Sequence, residues 1–276
     1  MKSIFSAPLN IIYDDENCQT CGLCSKVCTT GKIRTGDDKR PIIDNGAPCL
    51  SCGQCIAVCP SQALSTDTTG FAAPKQTKAY RKGIDPVILA TYLKSRRSVR
   101  IWKDKPVPQE ILRDLIDIAS FAPSACNIHP VKWVVVADPG KIQEFVKSSV
   151  AFLRTLPEDH PVKDDVSQLV VQADLGFDPI CRNAPALLIA TTDSESPFFK
   201  EDSIISLAYI DAYAPSIDIG TCWVGFVLII LTLNPELGKI LGIPDGWIPQ
   251  AAMIAGYPGV KYSRIPPREI PEIIFG

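Results

Sequence analysis

Eight cysteines stand in two runs of the same spacing. The first run is Cys18, Cys21, Cys24 and Cys28; the second is Cys49, Cys52, Cys55 and Cys59. Each reads C-x2-C-x2-C-x3-C. Three thiolates two residues apart can wrap one face of a metal cluster, and that is the chemistry these residues suggest. Two alternatives use the same residue type. A full set of disulfides is at odds with the total of 11 cysteines, an odd number. Zinc sites usually set two cysteines against two more across a longer gap, in tetrahedral fours. Two identical runs of four do not fit that pattern. Gly22 and Gly53 hold matching places in the runs, where a residue without a Cβ lets the backbone fold tightly and aim amides at sulfur.

The runs belong to an internal repeat. Ile11-Ile12-Tyr13-Asp14 precedes Cys18, and Pro41-Ile42-Ile43-Asp44 precedes Cys49, at an offset of 31 residues between first cysteines. Each half reads as a short strand, a cysteine loop and a turn of helix. The spacing resembles that of the bacterial ferredoxins, and the second run ends in Cys59-Pro60 as theirs do. It implies two [4Fe–4S] clusters with crossed ligands, since the fourth cysteine of each run ligates the other cluster. One cluster would take Cys18, Cys21, Cys24 and Cys59, the other Cys49, Cys52, Cys55 and Cys28. Thr29 stands where the ferredoxin pattern has proline after the first run.

Past Asp85 a second constellation appears. Ser95-Arg96-Arg97-Ser98-Val99-Arg100 puts three guanidiniums within five residues. Such a run alone reads as a solvated basic face. It also suits a phosphate clamp, because guanidinium forks match phosphate oxygens and a serine hydroxyl adds a hydrogen bond. Further along come Phe121-Ala122-Pro123-Ser124-Ala125-Cys126-Asn127-Ile128-His129-Pro130, Ile219-Gly220-Thr221-Cys222-Trp223-Val224-Gly225, Gly256-Tyr257-Pro258 and Arg264-Ile265-Pro266-Pro267-Arg268. In this order and spacing, the region from about Asp85 to Gly276 resembles the nitroreductase superfamily of FMN enzymes. With the cysteine-rich part, nearly the whole chain is similar to ferredoxin–nitroreductase fusions.

The resemblance implies roles for individual residues. Arg96 and Ser98 fall where the FMN phosphate is bound, with Arg97 close by. Arg100 falls where a basic residue meets the N1/O2 edge of the flavin. Pro123, Ser124 and Asn127 fall on the loop lining the isoalloxazine ring and ribityl chain. Gly220, Thr221, Cys222, Trp223 and Gly225 fall where backbone amides approach N5 and O4, the two glycines permitting close contact. Arg268 falls near a C-terminal basic residue that reaches the phosphate. His129 stands where many relatives have glutamine, and reads as a hydrogen-bonded ring near a loop in preference to a proton donor. Cys126, Cys181 and Cys222 read as small buried residues. No catalytic side chain is assigned.

The elements that must position these groups follow from pattern. Helices are expected over Pro86 to Arg96, opened by Asp85, over Gln109 to Phe121, and over much of Glu201 to Ile219, with an interruption at Pro215. Strands are expected over Val131 to Ala137, Ala186 to Ala190 and Ala251 to Ala255. The apolar run Cys222 to Leu233 is too short to span a bilayer and reads as one buried element. The expected organisation is a two-cluster domain over 1–65, a linker over 66–85 rich in Thr, Gly, Ala, Lys and Pro, and a flavin domain over 86–276. The fold class is α+β: a small ferredoxin-like domain, then helices around a central sheet. The family implies an intertwined homodimer with FMN at the interface.

Hydrophobic residues make up 46% of the 276 and charged residues 21%, enough for real cores. A formal net charge of -2 gives no reason to expect nucleic acid or an anionic membrane as partner. Met1 to Asn10 carries one lysine and no long apolar core, so no secretory signal is expected there, and clustered thiols suit a reducing cytoplasm. The expected activity is electron flow through two [4Fe–4S] clusters to FMN and on to a small organic acceptor such as a nitroaromatic. The electron donor would be a one-electron carrier such as a reduced ferredoxin, or NAD(P)H. Dehalogenation, reduction of an activated double bond, and an electron-transfer or redox-sensing flavoprotein without its own substrate are the alternatives.

Overall fold

A computed structural model of the chain describes residues 10–66 and 83–276. The linker expected over 66–85 falls mostly on residues 67–82, outside the described residues. Two compact units divide the chain. One holds the described residues up to Gly83 together with Ser124–His129; the other holds Ile84–Pro123 and Pro130–Gly276.

The first unit contains β1 (Ile11–Tyr13), α1 (Leu23–Lys26), β2 (Ile33–Thr35), β3 (Pro41–Ile43), α2 (Gln54–Val58) and β4 (Leu64–Thr66). β1 pairs antiparallel with β4, Ile12 opposite Ser65, and β2 pairs with β3, Arg34 opposite Ile42. The first strand of the first half therefore closes on the last strand of the second, which interleaves the repeat. Both short helices are entered through a glycine in the left-handed region, Gly22 at φ 67° and Gly53 at φ 66°. A Cβ would strain either position.

The second unit contains α3 (Pro86–Ser95), α4 (Gln109–Ser120), β5 (Lys132–Val136), α5 (Pro139–Arg154), α6 (Lys163–Asp174), β6 (Ala186–Thr192), α7 (Phe199–Tyr213), β7 (Gly220–Trp223), α8 (Gly225–Leu233) and β8 (Ile248–Gly256). The four strands form one antiparallel sheet in the order β5-β6-β8-β7. Side chains alternate across it, as the pleat requires. Ala186, Leu188, Ala190, Ala251, Met253 and Ala255 pack with Leu112 and Leu115 of α4 and Leu207 and Ile210 of α7. Leu187, Ile189, Ala252 and Ile254 face the other way, onto Phe145 of α5, Leu169 of α6 and Ile230 of α8. The class is α+β, with helices on both faces of a small sheet. Burial on both faces is why β6 is an apolar run and not an alternating one; every residue in it is buried.

Local rules set the boundaries. Asp85 caps α3 by accepting from the Val87 and Ile88 amides, and Pro86 starts the helix where no amide is needed. Pro215 does interrupt the expected long helix. α7 stops at Tyr213, and Ala214–Ile217 tighten into a 3-10 turn before Asp218 at φ 60°. The run Cys222 to Leu233 is not one element. Strand β7 takes Cys222 and Trp223, and helix α8 begins at Gly225. No polar residue inside the run reveals the change of period, so sequence pattern merged the two. Among the described residues no helix is long and apolar enough to cross a membrane.

Candidate functional site

The cysteine loops repeat one another in their hydrogen bonds. The Thr20 amide donates to Cys18 Sγ and the Ser51 amide to Cys49 Sγ, both at 3.4 Å. The Ile33 amide donates to Cys28 Sγ at 3.4 Å and the Ala63 amide to Cys59 Sγ at 3.2 Å. Amides aimed at sulfur stabilise its anionic form. For Cys59, burial works to raise the thiol, but hydrogen bonds from Ser61 and Ala63 outweigh it and hold the thiol below its ordinary value. Cys28 is lowered in the same way, with Ile33 and Thr30 outweighing burial.

The thiols gather across the repeat. One pocket is lined by Cys18, Cys21, Cys24 and Cys59, with Tyr13, Gly22 and Leu64 around them. Burial raises the Cys24 thiol, and the proximity of Cys21 and Cys59 adds to the rise. Burial pushes Cys55 up to about 11, and the proximity of Cys52, Cys28 and Cys49 adds to the rise. Each group of four thus contains the last cysteine of the other run. Among the described residues no group of three or more His, Cys, Asp or Glu is arranged to hold a single metal ion. Four soft thiolates around one space suit a thiolate-held cluster, and the donor set fits that group.

In the second unit the basic segment is stitched beside β7. Ser98 bridges Thr221 in parallel, and the Val99 amide donates to the Thr221 carbonyl at 2.8 Å. Further on, Trp102 bridges Pro258 and the Lys103 amide reaches the Tyr257 carbonyl at 2.9 Å. The fold therefore brings Arg96, Arg97, Ser98 and Arg100 to Gly220, Thr221, Cys222 and Trp223. Arg97 and Ser98 are half-buried, and Arg100 is exposed with Nη1 donating to the Ser98 carbonyl at 3.5 Å.

The two glycines of the β7–α8 segment differ. A Cβ on Gly220 would lie 2.6 Å from Val99 Cγ2, so its missing side chain makes room for the basic segment. A Cβ on Gly225 would meet nothing within 4 Å, and it opens α8 onto free space. Cys222 points into the core, 3% exposed, and contributes only backbone to any site here. Cys181 is fully buried, and burial raises its thiol well above the ordinary value. Cys126, expected to be buried, is exposed, because φ 49° places it on the outside of a tight turn.

That turn, Ser124–His129, belongs to the first unit. Cys126, Asn127 and His129 all have positive φ. Asn127 Nδ2 donates to the carbonyls of Leu50 and Ser51, at 3.3 and 3.2 Å, between Cys49 and Cys52. The Ser124 hydroxyl accepts from the His129 amide at 2.9 Å, and the His129 ring shares a 3.0 Å hydrogen bond with Asn127 Oδ1. Pro123 is exposed in the second unit. Arg268 is exposed in the chain beyond β8, where no regular element holds it among the described residues.

One residue escaped sequence reading. Asp211, on α7 and 7% exposed, accepts from Thr221 Oγ1 at 2.5 Å and from Trp223 Nε1 at 3.1 Å. Arg96 Nη1 lies 3.3 Å from its Oδ2. The signal was present: Asp211 continues the buried stripe of Leu207 and Ile210, and a carboxylate on such a stripe needs partners.

Comparison with known proteins matches both parts of the chain. Residues 17–64 match the 4Fe-4S dicluster domain, and residues 93–257 match the Nitroreductase family. The chain belongs to the Nitroreductase family, with a dicluster ferredoxin domain fused ahead of it. A Methanothermobacter thermautotrophicus relative, provisionally named an NADH dehydrogenase/NAD(P)H nitroreductase, is 25% identical over 170 residues, covering 60% of this chain and 75% of that one. Rat iodotyrosine deiodinase 1 is 40% identical over 58 residues, 20% of each chain. The FMN-bound nitroreductase of Bacteroides fragilis shares the fold at a TM-score of 0.56 and 19% identity, over 67% of this chain and 98% of that one.

Proposed function

We propose that the protein is an iron–sulfur flavoprotein that carries electrons through two [4Fe–4S] clusters to FMN and on to a small organic acceptor such as a nitroaromatic. The observation that carries this reading is the seam between Ser98 and Thr221, which sets three guanidiniums beside the β7–α8 turn of a nitroreductase-type fold. Bound FMN would collect single electrons and release them in pairs, the chemistry the cofactor itself supplies. The chain's own residues bind and orient it. Arg96, Arg97 and Ser98 hold the phosphate. Arg100 would supply positive charge beside the bound ring and so favour its reduced form. Gly225 leaves the α8 amides open to the flavin. The crossed sets Cys18, Cys21, Cys24, Cys59 and Cys49, Cys52, Cys55, Cys28 hold the clusters.

The working form is a homodimer. Val87, Ile88 and Leu93 of α3 are 71%, 68% and 48% exposed, and Ile270, Ile274 and Phe275 near the C-terminus are about as bare as side chains get. Apolar surface of this extent favours a partner, and a second copy suits the family. The similarity to iodotyrosine deiodinase 1 favours a second reading, reductive removal of halogen from an aromatic ring, on the same cofactors.

The test is turnover by the anaerobically purified full chain, pre-reduced with a one-electron donor. Nitroaromatics, halogenated phenols and activated alkenes are offered in turn, and acceptor loss is followed with flavin reoxidation. Consumption of a nitroaromatic supports the leading reading, and halide release the second. Reoxidation by a partner protein alone, with every small acceptor untouched, contradicts both.

A further inference from the structure

Three residues of the proposed flavin site converge on one carboxylate. Arg96 comes from the end of α3, Thr221 and Trp223 from β7, and Asp211 from the last turn of α7. Oδ1 accepts from the Thr221 hydroxyl at 2.5 Å, and Oδ2 from the Trp223 indole at 3.1 Å. Arg96 Nη1 sits across both oxygens, 3.4 Å from Oδ1 and 3.3 Å from Oδ2. A carboxylate this buried is costly unless donors surround it, and these three surround it. Arg96 is held from a second point too. One turn earlier on α3, the Tyr92 hydroxyl donates to the Ala212 carbonyl at 2.7 Å, next to Asp211.

The arithmetic of donors matters. A guanidinium has five N–H bonds in a fixed fork. Only Nη1 is spent on Asp211, and the Arg96 side chain remains 30% exposed, so Nε and Nη2 are left for a ligand. A free arginine side chain would lose rotamer freedom on binding phosphate. One already tethered has less to lose.

We propose that Asp211 is the positioning residue of the phosphate clamp: one buried carboxylate orients Arg96 and locks it to the Thr221–Trp223 strand that borders the flavin. This rests on the reading of Arg96 as a phosphate ligand. Asp211 acts through Arg96, so its effect falls on the phosphate and not on the ring.

That distinction gives the test. FMN and riboflavin differ by the phosphate alone, and their dissociation constants are measured by flavin fluorescence on the full-length, flavin-stripped protein. Asp211→Asn keeps the shape. The amide turns its nitrogen to Thr221, whose hydroxyl also accepts, and keeps oxygen toward Trp223 and Arg96. It removes the charge that fixes the guanidinium. The wild type is expected to prefer FMN over riboflavin, and Asp211→Asn to shrink that preference by about tenfold, the loss of one charge-assisted hydrogen bond. Riboflavin affinity should hold. In an Arg96→Ala background, Asp211→Asn should add nothing to the ratio, since the two act as one unit. An unchanged or increased preference in Asp211→Asn overturns the proposal, as does full additivity with Arg96→Ala. If the wild type shows no preference and Arg96→Ala changes nothing, the phosphate reading itself is what has failed. If Asp211→Asn does not fold, Trp223→Phe removes one donor from Oδ2 and is expected to lower the same ratio less; no change there also overturns the proposal.

Discussion

Asn127 shows how one side chain can make a contact that its sequence motif does not disclose. Its position in a Pro-Ser-Ala-Cys-Asn loop suggested a flavin contact. In the structure its amide nitrogen is donated to Leu50 and Ser51, inside the loop that carries Cys49 and Cys52. Sequence could not reveal this, because the partners are carbonyls and carry no residue signature. The left-handed turn that aims the side chain is likewise invisible where no glycine marks it. The consequence is testable. Asn127→Ala removes the Nδ2 donor from the carbonyls of Leu50 and Ser51, which loosens the loop next to Cys49 and Cys52. In the anaerobically reduced protein, the spectrum and potential of the cluster proposed on Cys49, Cys52, Cys55 and Cys28 should shift, and those of the cluster proposed on Cys18, Cys21, Cys24 and Cys59 should not. Equal change in both, or in neither, counts against this role.

At the scale of elements, the site is a seam between two strips of backbone. The strip 98–103 lies along β7 and the chain after β8, and Gly220 and Gly256 are the points of closest approach. A Cβ on Gly220 would fall 2.6 Å from Val99, and one on Gly256 2.7 Å from Pro185 and 2.8 Å from Trp102. Gly220→Ala should therefore push the basic segment off the sheet. Crowding of this kind costs about 1–3 kcal/mol. Thermal unfolding should show that loss, and FMN retention through gel filtration should fall with it. Normal retention with lowered stability would mean the seam is structural only. Much of this level was legible. Asp85 and Pro86 announced α3, and the stripe of Leu112, Leu115 and Ala119 announced α4. The glycines at 220 and 225 were legible as special, and Gly220 makes room for Val99. What stayed hidden were long-range partners: the pairing of β1 with β4, the seam itself, and the Asp211 hub, each of which joins residues far apart in sequence.

At the scale of the molecule, one chain joins two cofactor-binding domains. A covalent tether keeps the effective concentration of one domain near the other on the order of millimolar. That advantage is of little use if hydride arrives at the flavin directly, and of real use if a one-electron donor loads the clusters. The central claim is this order of electron flow. It is tested by anaerobic stopped-flow on the full chain and on Cys55→Ser, each first assayed for FMN, iron and sulfide. The wild type should hold about eight iron and eight sulfide with equimolar FMN. A reduced ferredoxin should bleach the clusters first and the flavin after them, and in Cys55→Ser the flavin should stay oxidised on that timescale although FMN is still bound. If the flavin is reduced equally fast in both proteins, by ferredoxin or by NAD(P)H, or if zinc replaces iron in the wild type, the account is contradicted.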